Sequence, residues 1–219
     1  MLANIAKLLS QYGDLFRSGL STTLLLSVQT ILIGTALGTV ICVLRMSRVE
    51  PLRWVCAAYI EIIRGLPLLL QLYIFVFLLP RLLRTGMTNL QAVGLSLALS
   101  TSAYISEIIR AGIQAVDTGQ SEAARSLGLS SGQALRRVVL PQAVTNILPA
   151  LGNEFTVVIK NTSLASAFFV GDLMTVQKNV TGSLFMTMEP MLIVGVIYFS
   201  MTFTLSKLVA LYERRVRTA

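Results

Sequence analysis

Glu154 and Lys160 stand six residues apart in the run ALGNEFTVVIKNTSLA, and together they suit recognition of a zwitterion. A carboxylate at Glu154 complements an ammonium, guanidinium or imidazolium group. The Lys160 ammonium complements a carboxylate. Six residues correspond to about 240° around a helix, so the two need not share a stripe but both can line one cavity. A second feature is Arg64-Gly65-Leu66-Pro67. Pro67 donates no backbone N–H and Gly65 is conformationally permissive, so a helix is interrupted there. The half-helix after such a break presents free N–H groups and a positive dipole end, which suit a substrate carboxylate. Glu61 with Arg64, and Glu107 with Arg110, are each three apart. That spacing permits ion pairs on one helix face, a structural role rather than a substrate contact.

The chemistry on offer is binding, not covalent catalysis. The chain has no histidine, and its two cysteines, Cys42 and Cys56, lie in or beside apolar runs. No disulfide framework or metal site is expected. No G-x-x-x-x-G-K-[ST] loop is present to cradle nucleotide phosphates, and no nucleophile elbow occurs. No catalytic residue, metal or cofactor is therefore assigned.

The elements that must hold these residues are apolar. Of 219 residues 54% are hydrophobic and only 13% charged, with mean hydropathy +0.74. Soluble domains carry about 25% charged residues overall, because a solvated surface needs them. A bilayer span takes about 20 mostly apolar residues as helix. Five such runs are read, at about 19–44, 54–79, 90–109, 138–159 and 190–211, the second broken at 64–67. Glu61, Arg64, Glu107 and Glu154 then lie at membrane depth, where an ionisable side chain costs at least about 2.5–3.5 kcal/mol and faces a cavity or a partner. Gly34 and Gly38 are spaced as a small-xxx-small pair that lets two helices approach.

The net charge of +8 fits loops flanking spans rather than a nucleic-acid surface. Arg45, Arg48, Arg53, Arg110, Arg125, Arg136, Arg137, Lys207, Arg214, Arg215 and Arg217 fall on one side. They outnumber Lys7, Arg17, Arg81, Arg84, Lys160 and Lys178 on the other. The excess places the N-terminus outside and the C-terminus in the cytoplasm. The start of the chain lacks a signal-peptide pattern. Residues 1–18 read as an amphipathic outer-face segment, 19–211 as the transmembrane domain, and 212–219 as a cytoplasmic tail. No period of 20–50 residues repeats, which argues against a solenoid.

Residues 117–141, DTGQSEAARSLGLSSGQALRRVVLP, form the most informative loop. Thr118 or Ser121 can cap a short helix, Gly128 suits the left-handed residue past its end, and Ser130 and Ser131 can cap the next helix. Ala123 and Ala124 give the short helix a low-profile face for docking. Glu122-Ala123-Ala124, then Gly128-Leu129, bracketed by Gln120 and by Leu140-Pro141-Gln142-Ala143, resembles the EAA signature of ABC importer permeases. Tyr59 to Leu72, Tyr104 to Ile113, Lys160-Asn161-Thr162-Ser163-Leu164 and Gly19 to Leu24 resemble further segments of the same family, in order, over residues 17–211. Together they are similar to the polar amino acid branch, the histidine and glutamine permease type.

The resemblance implies an all-α integral membrane protein of five transmembrane helices with the ABC type I importer permease fold, working as a dimer in the bacterial cytoplasmic membrane. Its partners would be a second permease copy (identical or paralogous), an ATP-binding cassette ATPase dimer, and a periplasmic or lipid-anchored amino-acid-binding protein; lipid surrounds it and no nucleic acid is involved. Gln120, Glu122, Ala123, Ala124, Gly128 and Leu129 would couple to the ATPase. Glu154, Lys160, Asn161, Thr162, Ser163, Gly65, Leu66, Pro67, Gln71 and Tyr104 would face the substrate. Asn161 stands where the family usually has Asp, leaving Glu154 as the single acid. The expected cargo is a polar L-amino acid, basic first (arginine, lysine, histidine) and glutamine next. The alternative is an ion- or proton-coupled transporter acting without an ATPase, which would need no EAA loop.

Overall fold

The computed structural model describes residues 2–217, and the side chains of 4–214. Their secondary structure is helical throughout: α1 (Leu2–Arg45), α2 (Glu50–Gly65), α3 (Leu68–Leu83), α4 (Asn89–Gln114), α5 (Thr118–Ser126), α6 (Ser131–Ala134), α7 (Leu140–Asn161), α8 (Leu173–Leu184) and α9 (Met188–Arg217). Among them α1, α4 and α9 are each long and apolar enough to cross a membrane, and two bent pairs, α2–α3 and the stretch 131–184, raise the number of spans to five.

α4 is the axis of the bundle. Of its apolar window 67% is buried, against 11% for α9. So α4 is wrapped by protein, while α9 leaves most of its apolar surface outward, where lipid is the matching solvent. Small residues let the helices come close to α4. A Cβ on Gly38 would lie 2.8 Å from the Ser102 carbonyl oxygen, and one on Gly34 3.2 Å from Thr101. The small-xxx-small pair is thus the α1–α4 contact. Gly112 gives the same clearance to Ile147 of α7, and Gly152 to Val209 of α9.

The first helix differs from the sequence reading. Residues before Gly19 form no separate element: α1 is continuous over 44 residues, about 66 Å. Its early turns are amphipathic as expected, but Leu8 and Phe16 are buried against Leu173, Val176, Ile193 and Val194. The apolar stripe of this segment is met by α8 and α9. At the other end α9 runs on through 212–217, so the segment read as a tail continues the last helix. Residues 218–219 and the side chains of Arg215 and Arg217, counted in the orientation argument, lie outside the described residues.

The second span turns far more sharply than a kink: α2 and α3 meet at 118°. Leu66, preceding Pro67, is pushed into an extended conformation (φ −105°, ψ 144°). Two carbonyls lose their helical donors there, and the Gln71 amide replaces them. Its Nε2 donates to Ile63 O at 2.6 Å and to Leu66 O at 2.7 Å, and its Oε1 accepts from Ser100 Oγ at 2.6 Å.

The fourth span begins before the predicted Val138. Pro141 cannot donate to the carbonyl four residues back, and the preceding turn, Leu135–Val139, widens to a π-helix in which Leu140 N–H reaches Leu135 O. Beyond α7 a 3₁₀ stretch, Thr162–Phe168, leads into α8 at a 46° bend. α8 was unforeseen in the sequence. Asp172, fully buried, caps it by accepting from Met174 N–H at 3.0 Å and from the Thr175 hydroxyl.

Candidate functional site

A cavity of about 250 Å³ lies between α4, α7 and the start of α3. Ligand pockets run from roughly 300 to 1,000 Å³, so this one suits a single small molecule. Thr101 stands at the midpoint of α4, about 18 Å along the axis from either end. The cavity is therefore at mid-bundle depth.

Two helical stripes form its walls. α7 supplies Glu154, Val157 and Asn161, at i, i+3 and i+7, which is one face of a helix. α4 supplies Ser100, Thr101 and Tyr104. Leu68, the first residue of α3, closes the third side and brings the N-terminal end of that half-helix to the site. α3 has no side-chain cap at its start. The Arg64 guanidinium lies over the Tyr104 ring at 5.8 Å from its centroid, a cation–π contact that sets a positive charge behind the tyrosine.

Glu154 has no hydrogen bond or ion pair among the described residues. It is the one carboxylate of the lining, beside hydroxyls and an amide. Removing a carboxylate from water without a partner is costly. Such a group is matched only when a cationic or hydrogen-bonding guest enters.

The structure sorts the expected substrate residues. Glu154, Asn161 and Tyr104 meet in the cavity. Lys160 is exposed and outside the lining, because one residue of helix rotates it about 100° from Asn161. The Thr162 hydroxyl donates to Ile159 O at 2.6 Å and that of Ser163 to Lys160 O at 2.6 Å, so both satisfy their own turn. Gly65 and Pro67 are exposed beside the break, Leu66 is half-buried, and Gln71 is occupied bracing it. The bend thus serves the site through Leu68 and Arg64. Ser100, Thr101, Val157 and Leu68 were missed. A helical projection from Tyr104 back to Thr101 and Ser100, and from Glu154 to Val157, carries the signal.

Glu61 and Arg64 do not pair, since Arg64 turns to Tyr104. Glu107 and Arg110 do: Arg110 Nε donates to both Glu107 carboxylate oxygens at 3.1 Å, and Arg45 of α1 joins the same carboxylate.

The EAA segment forms α5. Its cap is Asp117, whose carboxylate accepts from Gly119 N–H at 2.7 Å, in place of the expected Thr118 or Ser121. Gly128 has φ +88°, with Leu129 N–H bonded to Ala124 O and Gly128 N–H to Arg125 O. The left-handed Gly128 is as expected, and the two bonds make the end a Schellman motif. Ser130 caps the next helix in a capping box with Gln133. Gln120 and Gln142 join α5 to α7 through their amides at 3.3 Å. Ala124 is buried, Ala123 and Glu122 are exposed, and Leu127 is 86% exposed. An open groove of about 760 Å³ runs past Glu122, Arg125, Gly128 and Leu129.

Residues 20–218 match the family described as binding-protein-dependent transport system inner membrane component. The chain is 36% identical over 200 residues to the arginine transport system permease protein ArtQ of Bacillus subtilis (strain 168), covering 91% of each chain. It is 37% identical over 213 residues to the probable glutamine ABC transporter permease protein GlnM of the same organism, covering 97% of this chain and 98% of the relative. A solved structure described as an amino acid ABC transporter with histidines superposes with a TM-score of 0.89 at 44% identity, over 94% of this chain and 96% of that one.

Proposed function

Because the chain belongs to the binding-protein-dependent transport system inner membrane components, we propose that it lines the path of a cationic amino acid through the membrane. As a multi-pass permease subunit of an amino acid importer it performs no hydrolysis itself; the ATPase is a separate chain. The observation that carries the substrate reading is Glu154, a carboxylate with no partner among the described residues, in a mid-bundle cavity of hydroxyls and an amide. The carboxylate meets the guanidinium, ammonium or imidazolium of the side chain. The Leu68 end of α3, with Arg64 behind Tyr104, favours the α-carboxylate at the opposite wall.

Asn161 supports a second reading. Its amide complements the amide of glutamine, and the relatives include permeases named for arginine and for glutamine. In both readings α5 docks in a separate ATPase through Glu122, Ala123 and Leu127, a substrate-binding protein delivers the cargo, and a second permease copy completes the pathway. The N-terminus lies outside and the C-terminus in the cytoplasm. The test is competition for radiolabelled arginine on the purified assembly. Excess arginine, lysine and histidine should displace it well ahead of glutamine. Glutamine displacing as well as lysine selects the second reading. Uptake that persists with the ATPase removed and follows an ion gradient selects the ion-coupled alternative.

A further inference from the structure

A second cavity, about 490 Å³, opens at the end of the bundle where α1, α2 and α4 meet. It has no part in the substrate site. Arg45, Arg53 and Arg110 reach into it, with Ser47 and Trp54 on its walls. Arg45 and Arg110 are about three-quarters buried and share a single carboxylate, Glu107. Two guanidiniums against one acid leave one positive charge uncompensated where solvent is restricted. Arg53 is paired with Glu50 at 3.3 Å on the exposed surface, so three arginines against two acids leave one excess positive charge. The Ser47 hydroxyl is buried and without a hydrogen-bond partner among the described residues. The Gln114 amide oxygen on the same wall already accepts from Arg110, and the cavity still offers an excess of donors and positive charge.

Its rim is apolar. Trp54 is 70% exposed, Val55 68%, Val49 52% and Met46 47%. A tryptophan so placed, with arginines beside it, is the pattern of a membrane–water boundary. A soluble anion would satisfy the arginines and leave this rim bare. A phospholipid satisfies both, with its phosphate among the arginines and its acyl chains along α2. We infer that this cavity is a binding site for the headgroup of an anionic phospholipid, held by Arg45, Arg53, Arg110 and Ser47 and flanked by Trp54. Basic pockets between spans bind lipid headgroups by this chemistry.

Trp54 is the only tryptophan in the chain, so its fluorescence reports on the site directly. Delipidated full-length protein in detergent is titrated with phosphatidylglycerol or phosphatidylcholine carrying brominated acyl chains. Phosphatidylglycerol should quench at lower mole fraction, by roughly fivefold for each arginine engaged. Arg53→Gln should remove one such factor and still fold, because the Arg53 side chain has Glu50 as its one ion-pair partner among the described residues. Arg110→Gln should remove more, and Arg84→Gln, beyond the opposite end of α4, should change nothing. Equal quenching by both lipids overturns the assignment, as does an equal loss in Arg84→Gln. If soluble glycerol 1-phosphate abolishes the preference as efficiently as unlabelled phosphatidylglycerol at equal concentration, the occupant is a free anion and the lipid reading falls.

Discussion

Replacing Glu154 by Gln keeps the side-chain shape and removes the charge. The carboxylate lines a cavity of about 250 Å³ and has no protein partner among the described residues. Its loss therefore breaks no internal contact, and the fold should hold or gain slightly, since an uncompensated charge leaves the bundle. The effect should fall on the guest. A hydrogen bond to a charged group contributes about 1.5–3 kcal/mol, roughly 12- to 160-fold in an equilibrium constant. Arginine uptake by proteoliposomes holding the variant with its ATPase and binding protein should show that rise in the half-saturating concentration or fall in rate. Glutamine uptake should move by less than about threefold, because a neutral amide accepts a neutral partner. Thermal unfolding in detergent is the control. Unchanged arginine uptake by a folded Glu154→Gln variant refutes the argument. A variant that unfolds shows Glu154 to be structural, and that also refutes it.

Gln71→Leu strips the α2–α3 bend of its brace, leaving Ile63 O, Leu66 O and Ser100 Oγ without their partner. A loss of about 2–3 kcal/mol in unfolding free energy is expected by denaturant titration. Gly38→Leu pushes a side chain into Ser102 and Ile105 across α1–α4 and should lower stability by about 1–3 kcal/mol, read as a fall in the thermal midpoint. Gly128→Val forces a β-branched residue to φ +88°, at a cost of about 1–3 kcal/mol confined to the α5 terminus. Substrate binding by the bundle should survive while transport-coupled ATP hydrolysis falls. Asp172→Ala removes the cap of α8 and should cost about 1 kcal/mol or more, measured by the same thermal assay.

The spans were legible because lipid imposes a simple rule, about 20 apolar residues per helix, and α4 and α9 obey it. α8 broke that rule. It carries Thr175, Gln177, Lys178 and Asn179 within 12 residues, and its burial comes from neighbours. Leu173 N–H bonds the Thr23 hydroxyl at 3.1 Å, and Lys178 bonds Ser166. Those partners are distant along the chain, and no local pattern announces them. The same holds for residues 1–18, whose apolar stripe was visible while the helices that receive it were not. Pro67 announced a break, but its 118° angle depends on Gln71 and Ser100, which belong to different helices.

The site was half legible for a related reason. Residue type singled out Glu154, since an acid in an apolar run must face something polar, and the structure places it in the cavity lining. Type also singled out Lys160, which the structure leaves exposed and outside that lining. The cavity face of α7 is fixed by where α4 packs, and Gly112 against Ile147 with Gly152 against Val209 sets that rotation. Once Glu154 faces α4, the residue seven on shares its face and the residue six on does not. Asn161 enters the cavity and Lys160 leaves it. The exchange has a chemical consequence. A lysine in the lining would neutralise Glu154 internally, and the cavity would hold a satisfied ion pair with no need of a cation. With Lys160 outside, the negative charge stays available for the cationic guest proposed above, and that proposal rests on one helical step.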